Sequence, residues 1–339
     1  MPILVLSQDY ELFFQKSGSI EKCLIEPGDL LADFAGTRGI CITFFVDAGM
    51  LCRMERFSQQ NASIGKDLTR IRRHIASLHD RGHEIGLHVH PHWEDTRWTG
   101  DTWDFSGTRY RVQQFSDVEI ADIVSRYTFA LKDLCDGAVT SFRAGGFCID
   151  PFDKLRDALL MNEITIDSSV VPGAVLKDND KGFDFSNAPD IPWWRFSASP
   201  ANPNSAGEFL EIPLTPLQLP VWHYWGRAMD KLLKRQPAAV IGDGLSKAIG
   251  RREIMRRLLG ADRISELSID VPKSCHLVSS HVARQDRDIW QLMGHPKLFG
   301  KPSLENLNNF ITCKKVRRFE SITGLATAIR ARELSSRAA

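Results

Sequence analysis

Apolar and polar positions are grouped along this chain in blocks. Ile3 to Leu6 is a fully apolar run that ends in polar Ser7, Gln8 and Asp9, the pattern of a buried parallel strand whose carboxyl end opens into a site. A second run occupies Ile40 to Val46. Between the two, and again from Asp67 to Arg81, apolar residues recur at helical spacing (Leu68, Ile71, Ile75, Leu78) until Gly82 ends the helix. Strands are then predicted at Glu84 to Val89, Val139 to Phe142, Thr165 to Asp167, Trp193 to Phe196, Phe209 to Pro213 and Ile289 to Met293, with helices near Asp117 to Leu134 and Phe152 to Leu160. Repeated strand and helix units predict an α/β architecture, and seven or so strands without a glycine-rich nucleotide loop favour a barrel over a doubly wound sheet.

Two stretches break the rhythm of what reads as one domain over 1–339. Glu94 to Phe115 is polar, rich in Trp, Gly and Thr, and too long for a plain connection, which predicts a loop over the site. Trp222 to Arg263 reads as a helical insertion with many Lys and Arg. The polar end from Glu333 to Ala339 reads as a frayed terminus.

Composition narrows the function classes. With 339 residues, 43% hydrophobic and 25% charged, the chain can build a substantial core. A formal charge of +1 gives no global field toward nucleic acid or an anionic membrane, so any charge-based recognition must be local. Seven cysteines, scattered from Cys23 to Cys313 without a C-x-x-C pair, point away from a disulfide framework or a cysteine zinc knuckle and toward a reducing compartment. Met1 to Tyr10 lacks the pattern of a signal peptide, and no run reaches the roughly 18 apolar residues that cross a bilayer. The expectation is a cytoplasmic protein with no membrane span.

The chemistry concentrates in Gly82-His83-Glu84-Ile85-Gly86-Leu87-His88-Val89-His90-Pro91-His92-Trp93, which holds four of the ten histidines. Buried histidines are usually single, whereas several in succession cost desolvation or repel when protonated unless a ligand such as a metal ion binds them. Pro91 restrains His90 to extended backbone, so His88 and His92 do not sit on successive helical turns. In extended chain His88, His90 and His92 share a face, and spacing alone leaves open which two ligate. Two imidazoles and one carboxylate leave an open position for water, the arrangement of hydrolytic zinc sites. Asp9 and Glu11, two residues apart at the mouth of the first strand, supply acids on one side, one to ligate and one to take a proton.

These strings resemble the polysaccharide deacetylase (NodB-homology) family, whose five motifs follow in order along a distorted (β/α)7 barrel; the resemblance runs from Asp9 to beyond His295. It implies a fold of that type carrying the 222–263 insertion. By the first motif, Ser7-Gln8-Asp9-Tyr10-Glu11, Asp9 is the catalytic base and Glu11 a metal ligand; by the second, His88 and His92 complete the ligand set. The third, Ser141-Phe142-Arg143-Ala144-Gly145-Gly146-Phe147, implies that Arg143 pairs with the base and that the loop Gly145, Gly146 and Phe147 holds the oxyanion, although the usual proline and tyrosine are missing. The fourth, Ile166-Asp167-Ser168-Ser169, makes Asp167 the partner of the catalytic histidine. The fifth, Gln291-Leu292-Met293-Gly294-His295-Pro296, implies His295 as the general acid, because a helical Ser303 to Ile311 and Val316-Arg317-Arg318-Phe319 follow it; His281 is the alternative.

The resemblance implies hydrolysis of an N-acetyl group on a sugar or glycan precursor, in surface polysaccharide assembly, with zinc as the divalent ion or else cobalt or nickel. The substrate would be an N-acetylated sugar, a nucleotide sugar or a lipid-linked saccharide. Trp93 and Trp194, among Trp98, Trp103 and Trp193, suit stacking against a sugar ring. In the insertion, Trp222, Tyr224 and Trp225 followed by Lys231, Lys234, Arg235, Arg251, Arg252, Arg256 and Arg257 suit a phosphate-bearing carrier or a solvated face. Two other readings are hydrolysis of a different amide or formamide, and a catalytically silent barrel that binds a glycan.

Overall fold

The computed structural model describes all residues except 138, 179–180, 234–239, 247–250, 262 and 339, together with the side chains of 230, 231, 251–253 and 336–338. Of the basic residues expected on the insertion's helices, Lys234 and Arg235 therefore lie outside the described residues, as do the side chains of Lys231, Arg251 and Arg252.

Nine strands form one curled sheet. In chain order its strands are β1 (Ile3–Tyr10), β2 (Ile42–Asp47), β3 (Glu84–Val89), β4 (Ser141–Ala144), β5 (Ile166–Asp167), β6 (Trp194–Phe196) and β7 (Phe209–Glu211). A separate antiparallel ribbon, β8 (Pro216–Gln218) and β9 (Ile264–Glu266), precedes the last two, β10 (Ile289–Leu292) and β11 (Arg318–Glu320). The spatial order is β6-β7-β5-β4-β3-β2-β1-β10, with β11 also on β1. All pairings are parallel except β6 with β7. The sheet curls until its ends approach: Thr215, just past β7, donates its N–H to Gln291 O (3.0 Å) and accepts the Gln291 N–H on Oγ1 (2.9 Å). Irregular backbone thus closes what regular strands leave open, and the result is an α/β fold with a distorted barrel.

β1 is long enough to pair at both ends. Its first half lies between β10 and β11, and its second half pairs with β2. Because strand side chains alternate, Val5, Ser7 and Asp9 form a column on one face. Val5 joins Phe45, Ile166, Leu210 and Ile212 in an apolar cluster with Ile322, Leu325, Ala326 and Ile329. Those four belong to the C-terminal helix Ile322–Ala338, which the sequence pattern missed; its Glu333, the first residue of the end expected to fray, pairs with Arg195 at 2.6 Å. The column therefore runs from apolar Val5 through Ser7 to Asp9 at the carboxyl end of the strand.

Helices α1 (Glu26–Gly36), α2 (Ala48–Ser58), α3 (Ala62–Asp80), α4 (Asp117–Lys132) and α5 (Asp153–Met161) fill the connections. Asn61 caps α3 through its Oδ1, and Ser116 with Glu119 forms a reciprocal capping box on α4. Gly82, with φ of +85°, then turns the chain into β3. The insertion holds α6 (Val221–Leu232) and α7 (Arg251–Leu258). Among the described residues no helix is long and apolar enough to cross a membrane.

Candidate metal and acid-base site

Four strand ends deliver charged side chains to one point. β1 carries Asp9 and hands on to Glu11, and β3 carries His88 and hands on to His90. β4 carries Arg143 in register with His88, and His295 follows β10. Asp9, Glu11, His88, His90, His92 and Arg143 are all at least 96% buried, which only paired or ligated groups tolerate.

Glu11, His88 and His90 have one ligand atom each within 4.8 Å of one another. Nε2 of His88 and of His90 approach Glu11 Oε2 to 3.5 and 2.6 Å. That oxygen makes no well-formed hydrogen bond. His88 Nδ1 lies 2.9 Å from the Arg143 carbonyl oxygen, so Nδ1 donates there and Nε2 is the nitrogen left to meet Glu11, the second-shell arrangement of a metal-bound imidazole. One orphaned carboxylate oxygen facing two imidazole nitrogens is a donor set that fits a divalent cation.

His92 is placed differently from what the family resemblance implies. Both of its ring nitrogens are buried without a partner, and its ring is stacked on Tyr110 and edged by Phe14 and Phe105. The structure therefore groups His90, not His92, with Glu11 and His88. The physical reason is that Pro91 begins a 3-10 turn, Pro91–Glu94, which carries His92 out of the strand's alternation.

Asp9 is held by Arg143, whose Nη1 donates to Oδ1 at 2.6 Å. The other guanidinium donors go to Ser7 Oγ, Ser168 Oγ and Ser168 O at 2.8 to 2.9 Å, and the guanidinium lies 4.2 Å from the Phe45 ring centroid. Burial works against the Asp9 charge, but Arg143, then His88 and His295, outweigh it and hold the carboxyl below its usual range. His295 moves the other way. Burial disfavours its cation, yet Asp270, which takes the ring Nδ1–H at 2.8 Å and the backbone N–H at 2.7 Å, brings the pKa up to about 9. His295 Nε2 then points at the site, 3.9 Å from Asp9 and 3.6 Å from Glu11. An anionic base and a cationic acid thus face each other at neutral pH.

The partner of His295 is a correction to the sequence expectation. Asp167 does not reach it. Asp167 sits opposite Glu211 across β5 and β7, accepts from Ser169 Oγ at 2.6 Å, and leaves Oδ2 orphaned beside the equally orphaned Oε2 of Glu211. Burial raises both carboxyls; the Asp167 charge pushes Glu211 further up, while a hydrogen bond from Glu211 draws Asp167 back, so one shared proton satisfies both oxygens. His281, the alternative acid, is exposed and bonded to Gln285.

Two tryptophans are also corrections. Trp93 is fully buried with its N–H on Asp47 Oδ2 (2.5 Å), and Trp194 is buried with its N–H on Pro200 O (2.8 Å), so neither presents a ring to a sugar. The loop Gly145–Phe147 lies where expected, next to the histidines. A Cβ on Gly145 would come within 2.5 Å of His90 Nδ1, and Gly146 adopts φ of +58° under the Tyr110 hydroxyl. The Glu94–Phe115 segment supplies that Tyr110 and Phe105, and so covers the histidines as expected.

Sequence reasoning missed Lys297, whose Nζ donates to Glu11 Oε1 and Leu12 O, both at 2.8 Å, while 95% buried. Together with His90 it draws the Glu11 pKa well down against burial. It also missed Asp47, buried next to His88 in register, and Asp270. A readable signal existed for Asp270. Leu267-Ser268-Ile269-Asp270 repeats the pattern of an alternating run closed by an acid that marks Asp9.

No family model and no curated protein matches the chain. Its structure is similar to that of a proposed polysaccharide deacetylase from Mycobacterium smegmatis, at 16% identity over 98% of this chain and 91% of that one, with a TM-score of 0.49. It is also similar to a family 4 carbohydrate esterase from Streptomyces lividans (11% identity, 94% and 91% covered, TM-score 0.35) and to the peptidoglycan deacetylase PdaC from Bacillus subtilis (10% identity, 99% and 95% covered, TM-score 0.40). At such identities and scores the likeness carries no function to this chain.

Proposed function

We propose that this protein is a metal-dependent hydrolase that removes an acyl group, in the first place acetyl, from the nitrogen of a sugar or glycan precursor. The observation that carries the reading is the facing pair of an ionised Asp9 and a protonated His295 beside the donor set Glu11, His88 and His90. A divalent ion in that donor set, zinc by ligand type with cobalt or nickel as substitutes, supplies Lewis acidity that polarises the acyl carbonyl and acidifies water.

Asp9 takes the proton from the attacking water, and Arg143 keeps it ionised and aimed through a charge-assisted bond that lysine would not reproduce. A backbone N–H of the Gly145–Phe147 turn faces the developing oxyanion; one such donor is typically worth roughly 3 kcal/mol of barrier. His295 gives its Nε2 proton to the departing amine nitrogen, which is too poor a leaving group to depart as an anion. Asp270 stabilises the imidazolium before that transfer.

The burial of Trp93 and Trp194 removes the aromatic platform that argued most directly for a sugar ring, and so favours a second reading, hydrolysis of another non-peptide amide. The decisive assay uses chelator-stripped protein, reloaded with zinc or cobalt, on a panel of N-acetyl sugars, N-acetyl sugar nucleotides and small amides. Acetate from a sugar substrate, dependent on metal, is the expected result. Formate or ammonia from a small amide would move the protein to the second reading, and no product from any substrate would leave a silent barrel.

A further inference from the structure

Among the described residues, the insertion between β8 and β9 carries the largest concentration of exposed apolar side chains. Trp222, Trp225, Met229 and Leu232 follow at spacings of three and four on α6, which puts them on one helical face. All four are exposed, Trp222 and Leu232 to 68% and 73%. Leu233, and on α7 and its end Ile254, Met255 and Leu259, extend the surface. α6 is anchored at two points: His223 Nδ1 lies 3.0 Å from His276 Nε2, and the half-exposed Trp225 donates its N–H to Leu258 O at 3.1 Å, tying α6 to α7.

The same segment is basic. Residues 221–263 contain ten Lys and Arg against four Asp and Glu, an excess of six in a chain whose formal charge is +1. Helices with Trp, Met and Leu on one face, interleaved with Lys and Arg, have the composition of elements that lie in the headgroup region of a bilayer. A second copy of this chain is disfavoured, because a two-fold contact would set one basic patch against another. Anionic lipid satisfies both the apolar and the basic part of the surface.

The insertion also reaches the barrel mouth. Ile241 N donates to Phe299 O (2.9 Å), Leu245 N to Lys16 O (2.8 Å), and Ser19 N to Asp243 Oδ1 (2.8 Å). These partners lie on the segments that follow Glu11 and His295, so residues 241–245 of the insertion border the rim of the candidate site.

We infer that α6 and α7 form a peripheral docking surface for an anionic lipid bilayer. This surface stands independently of the reaction assigned to the barrel. The test is co-sedimentation of the full-length protein with vesicles of phosphatidylcholine alone or of phosphatidylcholine with phosphatidylglycerol, at low and high salt. The wild type pellets with the anionic vesicles, and high salt weakens the binding. Trp222→Ala with Met229→Ala, and separately Arg227→Glu with Arg256→Glu, each lower the partition coefficient by at least roughly tenfold. Both variants keep the wild-type melting temperature, which separates loss of docking from loss of folding. Equal partition to neutral and anionic vesicles, or wild type left in the supernatant, overturns the inference. So does a dimer in light scattering that the Trp222 and Met229 substitutions dissolve, which would give the surface to a second copy.

Discussion

The two walls of the pocket are built by different means. On one, β1 to β4 are regular and parallel, and Asp9, His88 and Arg143 are neighbours because their registers are fixed by continuous ladders. On the other, His295 and Asp270 stand on backbone beyond β10 and β9, joined by the single bridge between Ser268 and Met293. The first wall holds an anion and the second a cation, so each must be stabilised against burial by its own partner. Arg143 is a rigid fork with four bonds and no freedom; Asp270 is one carboxylate clasping one histidine.

The widest separation between the walls comes from removing the base. Asp9→Asn keeps the shape and can still accept from Arg143 but cannot take a proton. Turnover should fall roughly 10²- to 10⁴-fold. Zinc content after dialysis should stay at the wild-type level, because Asp9 is outside the donor set. Loss of bound zinc in this variant would merge the base with the metal ligands and undo the division of labour proposed for β1.

A second comparison lies within the histidine string. His90→Ala should weaken zinc affinity by at least roughly 100-fold, more than outer-shell changes usually cost, whereas His92→Ala should change it only a few-fold. Isothermal titration of the metal-free protein measures both. The opposite order would return the ligand pair to His88 and His92.

That pair of variants also marks how far the sequence could be read. Apolar runs closed by acids located β1 and β2 to within a few residues, β3 was read at its observed bounds, and Asp9, Glu11, His88 and Arg143 were legible because each sits on or next to a regular strand, where alternation decides direction. The register stops being readable at Pro91, where the 3-10 turn separates His92 from His90. Asp167 was misread for a related reason. It ends a strand as expected, but whether a strand-ending acid meets His295 depends on what lies across the barrel, and the sheet puts Glu211 there. Asp270 follows a three-residue strand and an insertion of more than forty residues, so no local pattern connects it to His295. Lys297 was invisible because a lysine is ordinarily solvated, and only the fold shows its ammonium enclosed by Glu11, Phe13 and Phe14.

Asp270→Asn and Asp167→Asn sharpen the contrast on the second wall. Asp270 holds the His295 pKa up, and His295 must be protonated to serve as an acid, so activity is lost as pH rises through that pKa, about 9 with Asp270 in place. Replacing Asp270 lowers the pKa. The alkaline limb of the kcat/KM profile should move to lower pH, with roughly 10- to 100-fold lower turnover at pH 8. Asp167→Asn should leave that limb unmoved, since a neutral amide stands in for the protonated member of the Asp167–Glu211 pair. A limb displaced by Asp167→Asn alone would restore Asp167 as the partner of His295.

The smallest effect concerns Asp47, which belongs to the regular wall but has no cation of its own. Burial, only partly offset by His88, drives its pKa to about 8, and its single hydrogen bond comes from Trp93. The folded state thus keeps a proton that the unfolded chain has already lost above about pH 4. By linkage, this group makes folding less favourable as pH rises from about 4 to about 8, after which the cost levels off. Asn accepts the same Trp93 bond and does not titrate. In metal-free protein, which removes ligand contributions to stability, the melting temperature of Asp47→Asn relative to wild type should therefore rise between pH 5 and pH 8, by on the order of several degrees. A constant difference across that range would mean that Asp47 is ionised throughout. The first wall would then hold three carboxylates against Arg143 and Lys297, and its affinity for a divalent ion would owe more to uncompensated charge than to the geometry of Glu11, His88 and His90.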